Sequence, residues 1–378
     1  MGIINEKRIV TEFIELASID SPSFNERKVA DCIISKATSM GLEVYEDKGG
    51  EVYGGNTGNL YFTLFGAPNI PSLMLLAHMD TVVPCKNKKI SVEGDIIKSD
   101  GTTILGSDDV SGIVEILETL RVLKEQDIKH GNIEVVFTIG EEKSLCGAKV
   151  LEFDRIKSKI ALVLDSGGLG RAAISGPSQY QLEVTFFGKA AHAGIEPEKG
   201  NNAIVIASNA ISKMKLGRID FETTANVGVI NGGEATNIVC DRCEVHFEAR
   251  SRNKEKLEAQ VSHMKGIIEA AAKDANAKVE IRQDFLYPEF NIPEDDDLVL
   301  IFQKSCIEIG LEPILEATGG GSDTNIISGK GIKAIDLACG MENVHTLDEY
   351  IKISSLVKST EILVKMIELI YDSEVQNG

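Results

Sequence analysis

The chain has 378 residues, 43% hydrophobic and 26% charged, an ordinary balance for a soluble globular protein and too much chain for one small core. Its 39 basic and 58 acidic residues give a formal charge of -19, which excludes the broad basic face that nucleic acid or an anionic membrane needs. No apolar run reaches the roughly 18 residues of a membrane span. The opening stretch MGIINEKRIVTEFIELA carries acids and lacks a cleavable apolar leader, so a cytoplasmic protein without a membrane partner is expected. Seven cysteines, odd in number and scattered, fit a reducing compartment.

In chain order, residues 5–18 and 25–40 have helical periodicity, with SIDSPSFNE between them as a turn and cap. NLYFTLFG and SLMLLAH read as strands. DDVSGIVEILETLRVLKEQ reads as a helix whose acidic start suits the helix dipole. IEVVFTIG, IALVLD and KAIDLACG are further strands, and SSLVKSTEILVKMIELIYD is a last helix. Strands alternating with helices predict an α/β domain with a mostly parallel sheet flanked by helices.

The middle of the chain differs. QYQLEVTFFG reads as a strand and NNAIVIASNAISKM as a helix. TANVGVINGG and TNIVCDRCEVHFEARS read as a strand pair joined through Gly232 and Gly233. KEKLEAQVSHMKGIIEAAAKDA is a second helix and KVEIRQDF a closing strand. This β-α-β-β-α-β order is that of a ferredoxin-like α+β unit, expected as an insertion over residues 177–285. YPEFNIPEDDD is the expected return connection. Cys240 and Cys243 form a lone CxxC in this β-rich part. Without a second pair or a helix to open, it reads as two ordinary cysteines rather than a zinc knuckle or redox pair.

The chemistry gathers where strands of the first domain stop. His78 and Asp80 end SLMLLAH, Asp108 and Asp109 open a helix, Glu141 and Glu142 end IEVVFTIG, Asp165 ends IALVLD, and His345 follows the last strand. Singly, each has a plain reading as a cap or a solvated group. Together they lie at the carboxyl ends of the strands, where open α/β sheets bind ligands. Crowded carboxylates raise one another's pKa values, and a divalent cation relieves that repulsion. Histidine with carboxylates suits zinc, manganese or cobalt. Residues i and i+2 share a side of a strand, so Asp80 is placed to accept the second N–H of His78.

LLAHMDTVVP, LGSDDVSGI, TIGEEKSLCGA, LVLDSGG and NVHTLDEY, in this order, resemble the M20 family of two-metal exopeptidases and deacylases, nearest its peptidase T-like (tripeptidase) branch. FFGKAAHAGIEPEKGNNAI, NGGEATNIVCDRCEVHFEARS and GGGSDTN strengthen the likeness, which spans nearly the whole chain. The resemblance implies a zinc-exopeptidase-like catalytic domain over 1–176 and 286–378, and a lid and dimerisation domain over 177–285. It implies two divalent ions, zinc foremost, with Asp108 bridging, His78 and Asp165 completing one site, and Glu142 and His345 the other. Spacing alone leaves Asp108 and Asp109 open; the family pattern selects Asp108.

It further implies Glu141 as general base, Asp80 as the partner of His78, and His192 reaching the substrate carbonyl from a neighbouring subunit. Asn237, Arg250 and the Gly320, Gly321 and Ser322 loop are implied to contact substrate. The function expected is removal of the N-terminal residue of short peptides by a metal-activated hydroxide. A carboxypeptidase or N-acyl-amino-acid deacylase of the same family is the alternative, and an inactive binding protein on the same fold a remote one.

Overall fold

Every residue of Leu73–His78 is buried, as expected of a parallel strand covered on both faces. The computed structural model, which describes residues 2–377, pairs this strand in parallel with Ile133–Thr138 on one side and Ile160–Gly167 on the other. Lys333–Glu342 extends the parallel set beyond Ile160–Gly167. Along the rest of the main ladder the pairing is antiparallel, and in a side branch Arg171–Gly176 pairs antiparallel with Lys333–Glu342 and parallel with Ile314–Ala317. Leu60–Leu64 and Tyr45–Glu46 flank one side; Tyr350–Lys352, Ile96–Ser99 and Ile90–Glu93 flank the other. The sheet is therefore mixed, parallel at its centre and antiparallel at its edges.

Register sets the ligand end. His78 lies opposite Thr138 and Leu76 opposite Val163, so continuing the second pairing brings Asp165 level with His78. Strands starting together at Leu73, Ile133 and Ile160 thus finish together, and polar residues at their ends are brought into one place.

Ser107–Glu125 packs across Leu73–His78, Ile160–Gly167 and Lys333–Glu342, and is covered in turn by Glu6–Ala17 and Ile353–Asn377. It is buried on nearly all sides, so its polar residues need partners. Glu118 receives Arg8 through two nitrogens, at 2.6 and 2.9 Å, and Glu115 receives the Ser359 hydroxyl. Glu6–Ala17 is capped by Asn5 and buries Ile9, Phe13, Leu16 and Ala17, the spacing of one helix face.

The chain divides into two compact units: residues through Ser175 with Ile292–Ala317 and Ser322 onward, and Gly176–Asn291 with Thr318–Gly321. In the second unit an antiparallel sheet runs in the order Thr223–Gly232, Arg242–Ser251, Ser178–Phe187, Lys278–Tyr287, with the short Gly217–Arg218 outermost. Helices Ala203–Lys213 and Lys254–Asp274 cover one face, burying Val184, Phe186, Val245 and Phe247. This is the ferredoxin-like order of strands.

Three segments depart from the sequence reading. Ile90–Glu93 and Ile96–Ser99 form a hairpin turning at Gly94, whose φ of +63° suits glycine. The acidic run of the return connection is a helix start: Asp296 accepts from Leu298 N, and Asp297–Glu308 follows. Residues 237–241 are not strand. Their backbone serves the facing loop, with Asn237 O taking Ala193 N, Cys240 O taking Ala203 N and Asp241 O taking Gly188 N.

Gly112 marks how closely the ligand-bearing helix meets the sheet. A Cβ there would lie 2.4 Å from Leu164 O and 2.5 Å from Asp109 Oδ1. Alanine in place of a mid-helix glycine normally adds stability. At this position overpacking wins, and Gly112→Ala is expected to destabilise the protein by about 1–3 kcal/mol in urea unfolding. An unchanged or raised midpoint would show that the contact has room to relax.

Candidate metal centre and active site

The Asp108 carboxylate is the hinge of the site. Its Oδ1 lies 2.9 Å from His78 Nε2 and its Oδ2 lies 3.0 Å from His345 Nε2. Asp165 Oδ1 is 3.5 Å from His78 Nε2, and Glu142 Oε1 is 2.8 Å from His345 Nε2. Two groups result, His78, Asp108 and Asp165, and Asp108, Glu142 and His345, with the ligand atoms of each within 4.8 Å of one another. They share one carboxylate, and the donors are imidazole nitrogen and carboxylate oxygen, a set that suits zinc, manganese or cobalt.

Backbone groups place these side chains. Asp108 and Asp109 have non-helical φ and ψ, so the regular helix begins only after them. The peptide bond between them is cis. Asp109 turns from the imidazoles to the main chain: its Oδ2 accepts from His78 N at 3.0 Å and its Oδ1 from Gly112 N at 3.0 Å. Nothing in the spacing of SDD distinguished the two aspartates; their hydrogen bonds do.

Asp80 lies beyond the strand end, with Oδ1 3.4 Å from His78 Nδ1. That nitrogen has no hydrogen-bond partner, so the expected N–H donation to Asp80 is not made here. Asp80 is engaged elsewhere, accepting from Glu141 N at 2.9 Å, Glu142 N at 3.3 Å and Ser23 Oγ at 2.6 Å. Glu26, fully buried, accepts from Gly140 N at 3.0 Å and Phe24 N at 2.7 Å. Two buried carboxylates therefore hold three successive amides of the turn presenting Glu141 and Glu142. The sequence reading missed Glu26. Its only signal was an acid at the start of the second helix, which capping explains equally well.

The electrostatics follow from crowding. Burial, together with the charges of neighbouring acids, pushes Asp165, Glu141 and Asp109 well above the ordinary carboxylate range. Burial and the Asp108 charge raise Glu142. Burial also acts on Asp108, yet the hydrogen bonds to His345 and His78 hold it below its usual value. His345 is raised to about 10 by hydrogen bonds to Asp108 and Glu142. His78 is raised well above its usual value in spite of burial, chiefly by the Asp165 charge. Crowding of this kind is what a divalent cation would relieve.

The remaining expected residues lie in or beside the second unit. His192 is exposed, and its Nδ1 accepts from Gly194 N at 3.2 Å. Its backbone bridges to Ile238, next to the exposed Asn237. Arg250 donates to Glu248 at 2.9 Å and to Gly319 O at 3.4 Å. A Cβ on Gly321 would lie 2.3 Å from the Tyr287 ring, so only glycine fits beside it. Ser322 belongs to the first unit, where its hydroxyl donates to Asp336 at 2.6 Å and caps a short helix. Cys240 and Cys243 are buried free thiols outside both ligand groups.

Two family models match the chain, a peptidase dimerisation domain over residues 178–276 and peptidase family M28 over 59–210. The uncharacterized protein YqjE of Bacillus subtilis is 45% identical over 97% of this chain and 99% of its own. The aminopeptidase PepT of Bacillus cereus is 44% identical, with a TM-score of 0.91 over 98% of this chain and all of that one. A tripeptidase of Staphylococcus aureus is 39% identical, with a TM-score of 0.94 over the same shares.

The raised groups make metal uptake a proton exchange. His345, raised to about 10, keeps its proton at neutral pH without a metal and must lose it to bind one. Loading at pH 7 is therefore expected to release protons, with affinity rising as pH rises. Calorimetry in buffers of different ionisation enthalpy measures the release. Uptake without proton release would show that the His345 imidazole is already neutral.

Proposed function

We propose, for a chain that belongs to the peptidase T-like branch of the M20 metallopeptidases, that Asp108 bridges a pair of divalent ions and that Glu141 moves the proton of the reaction. The protein is a metal-dependent hydrolase, an aminopeptidase acting on short peptides. The observation that carries the assignment is the Asp108 carboxylate, one oxygen toward His78 and the other toward His345. His78 and Asp165 complete one site, and Glu142 and His345 the other. Zinc is the proposed metal, with manganese and cobalt next.

Divalent ions, if held by these residues, would supply Lewis-acid polarisation of the scissile carbonyl and a stronger water nucleophile at neutral pH. Glu141 is buried and its backbone N–H is held by Asp80. Its pKa, raised by burial and by Asp165, suits a group that accepts a proton from water and passes it to the leaving amine. Asp80 acts through others, holding the Glu141 and Glu142 amides and standing behind the His78 ring. His192 is assigned to the oxyanion; one such donor is typically worth about 3 kcal/mol.

Arg250 and Asn237 are assigned to substrate recognition, Arg250 as the anchor for a carboxylate. Gly320, Gly321 and Ser322 contribute backbone groups, since the Ser322 hydroxyl is already donated to Asp336. The dimerisation-domain match over 178–276 supports a homodimer through this unit, with His192 serving the neighbouring subunit. Among the described residues no helix is long and apolar enough to cross a membrane. The proposed location is the cytoplasm.

Glu141→Gln is expected to keep its metal and its melting temperature while losing at least about 100-fold in kcat, the usual scale of acid–base catalysis. Turnover near wild type would remove Glu141 from the role. Substrate polarity is tested with Ala-Ala-Ala, its N-acetylated form and its C-terminal amide. Cleavage of the free peptide and the amide, with the acetylated form refused, is expected. The opposite preference would make the enzyme a carboxypeptidase or deacylase.

A further inference from the structure

Four donors from the loop that ends in Asp108 converge on one distant carboxylate. Glu349 is 2% exposed. Its Oε2 accepts from Leu105 N at 2.7 Å and Gly106 N at 2.8 Å, and its Oε1 from Ser107 Oγ at 2.6 Å and Asp108 N at 3.3 Å. Gly106, at the helix cap position, has no side chain to satisfy these groups, and Glu349 does so from 241 to 244 residues away.

On its own side, Glu349 closes a tight turn that begins beside His345. Its N–H donates to Thr346 O. The Thr346 hydroxyl donates to Asn343 O at 2.7 Å and accepts from Asp348 N at 3.2 Å. His345 sits inside this turn with a φ of +63°. A displacement of Glu349 is therefore carried both to Asp108 and to His345.

A buried amine lies against the same loop. Lys88 is 8% exposed, and its Nζ has no hydrogen-bond partner. A Cβ on Gly106 would lie 2.9 Å from that nitrogen, which places the amine against the same loop. Burial lowers the Lys88 pKa, and the charges of Cys85 and Glu349 work against that lowering.

We infer that Glu349 is a positioning residue of the metal centre, tying the Leu105–Asp108 loop to the turn that carries His345. It touches neither substrate nor the reacting atoms; it fixes the separation of two ligands that reach one ion from opposite ends of the chain. The inference rests on the assignment of Asp108 and His345 as ligands. Outer partners of this kind typically change metal affinity or activity 10- to 100-fold.

The test uses metal-free full-length protein titrated with Co2+, followed by visible absorption, and with Zn2+ in competition with a chromophoric chelator. Glu349→Gln places an amide NH2 against groups that donate. Glu349→Asp keeps the charge but withdraws it by one methylene, and serves if the first variant fails to fold. Wild type is expected to bind two ions. Both variants are expected to bind the second ion about 10- to 100-fold more weakly and to give an altered cobalt spectrum, while the circular dichroism of the metal-free protein is unchanged. Two ions bound at wild-type affinity by either folded variant would overturn the inference. Weakening that tracks only the unfolded fraction would overturn it too. A wild type that takes up fewer than two ions would sink the ligand assignment itself.

Discussion

Buried carboxylates of like charge cannot share a small volume in their ionised form, and the architecture around the strand ends is organised by that constraint. Parallel strands starting in register deliver His78, Asp165 and the Glu141–Glu142 turn to one end of the sheet. The helix start adds Asp108. Burial then lifts Asp165 and Glu141 well above the ordinary range and raises Glu142, while hydrogen bonds to two imidazoles hold Asp108 low. Divalent cations resolve the same conflict more completely than protons, and the resulting centre can do hydrolytic work at neutral pH.

A cluster under such repulsion needs its members held, and the holding is done by other acids around it. Asp109 grips the His78 and Gly112 amides. Asp80 and Glu26 grip the amides of Gly140, Glu141 and Glu142. Asp336 accepts from Asp165 N and Ser322 Oγ. Glu349 grips the loop before Asp108. Each of these carboxylates accepts from N–H or O–H donors and so orders the backbone around the ligands, while Asp109 and Asp336 also add to the crowding of charge there.

Much of this was legible in the sequence, because strand ends are marked by a change of residue type. The apolar run LMLLA followed by His-Met-Asp announces a strand and its ligand end together, and VVFTIG followed by Glu-Glu does the same. The ferredoxin-like unit was legible because its strands alternate and its helices are long. The hairpin at Ile90–Ser99 was not, since ISVE and IIKS are only four residues each and the strand that IIKS joins to the sheet, Tyr350–Lys352, is remote in sequence. Glu26, Asp336 and Glu349 were not legible as parts of the site. An acid that accepts backbone hydrogens from a segment more than 100 residues away looks, in sequence, like any solvated acid. The CxxC gave the opposite lesson: a pattern associated with chemistry proved to be two buried thiols set in ordinary structure.

The central claim is that one carboxylate joins two metal sites built from both ends of the chain. Anomalous diffraction from crystals grown with zinc, recorded on either side of the absorption edge, addresses it directly. The account predicts two peaks roughly 3.5 Å apart, the spacing usual for paired catalytic ions, one within reach of His78 and Asp165, the other of Glu142 and His345, with an Asp108 oxygen on each. A single peak, or two peaks with Asp108 bound to neither, would contradict it.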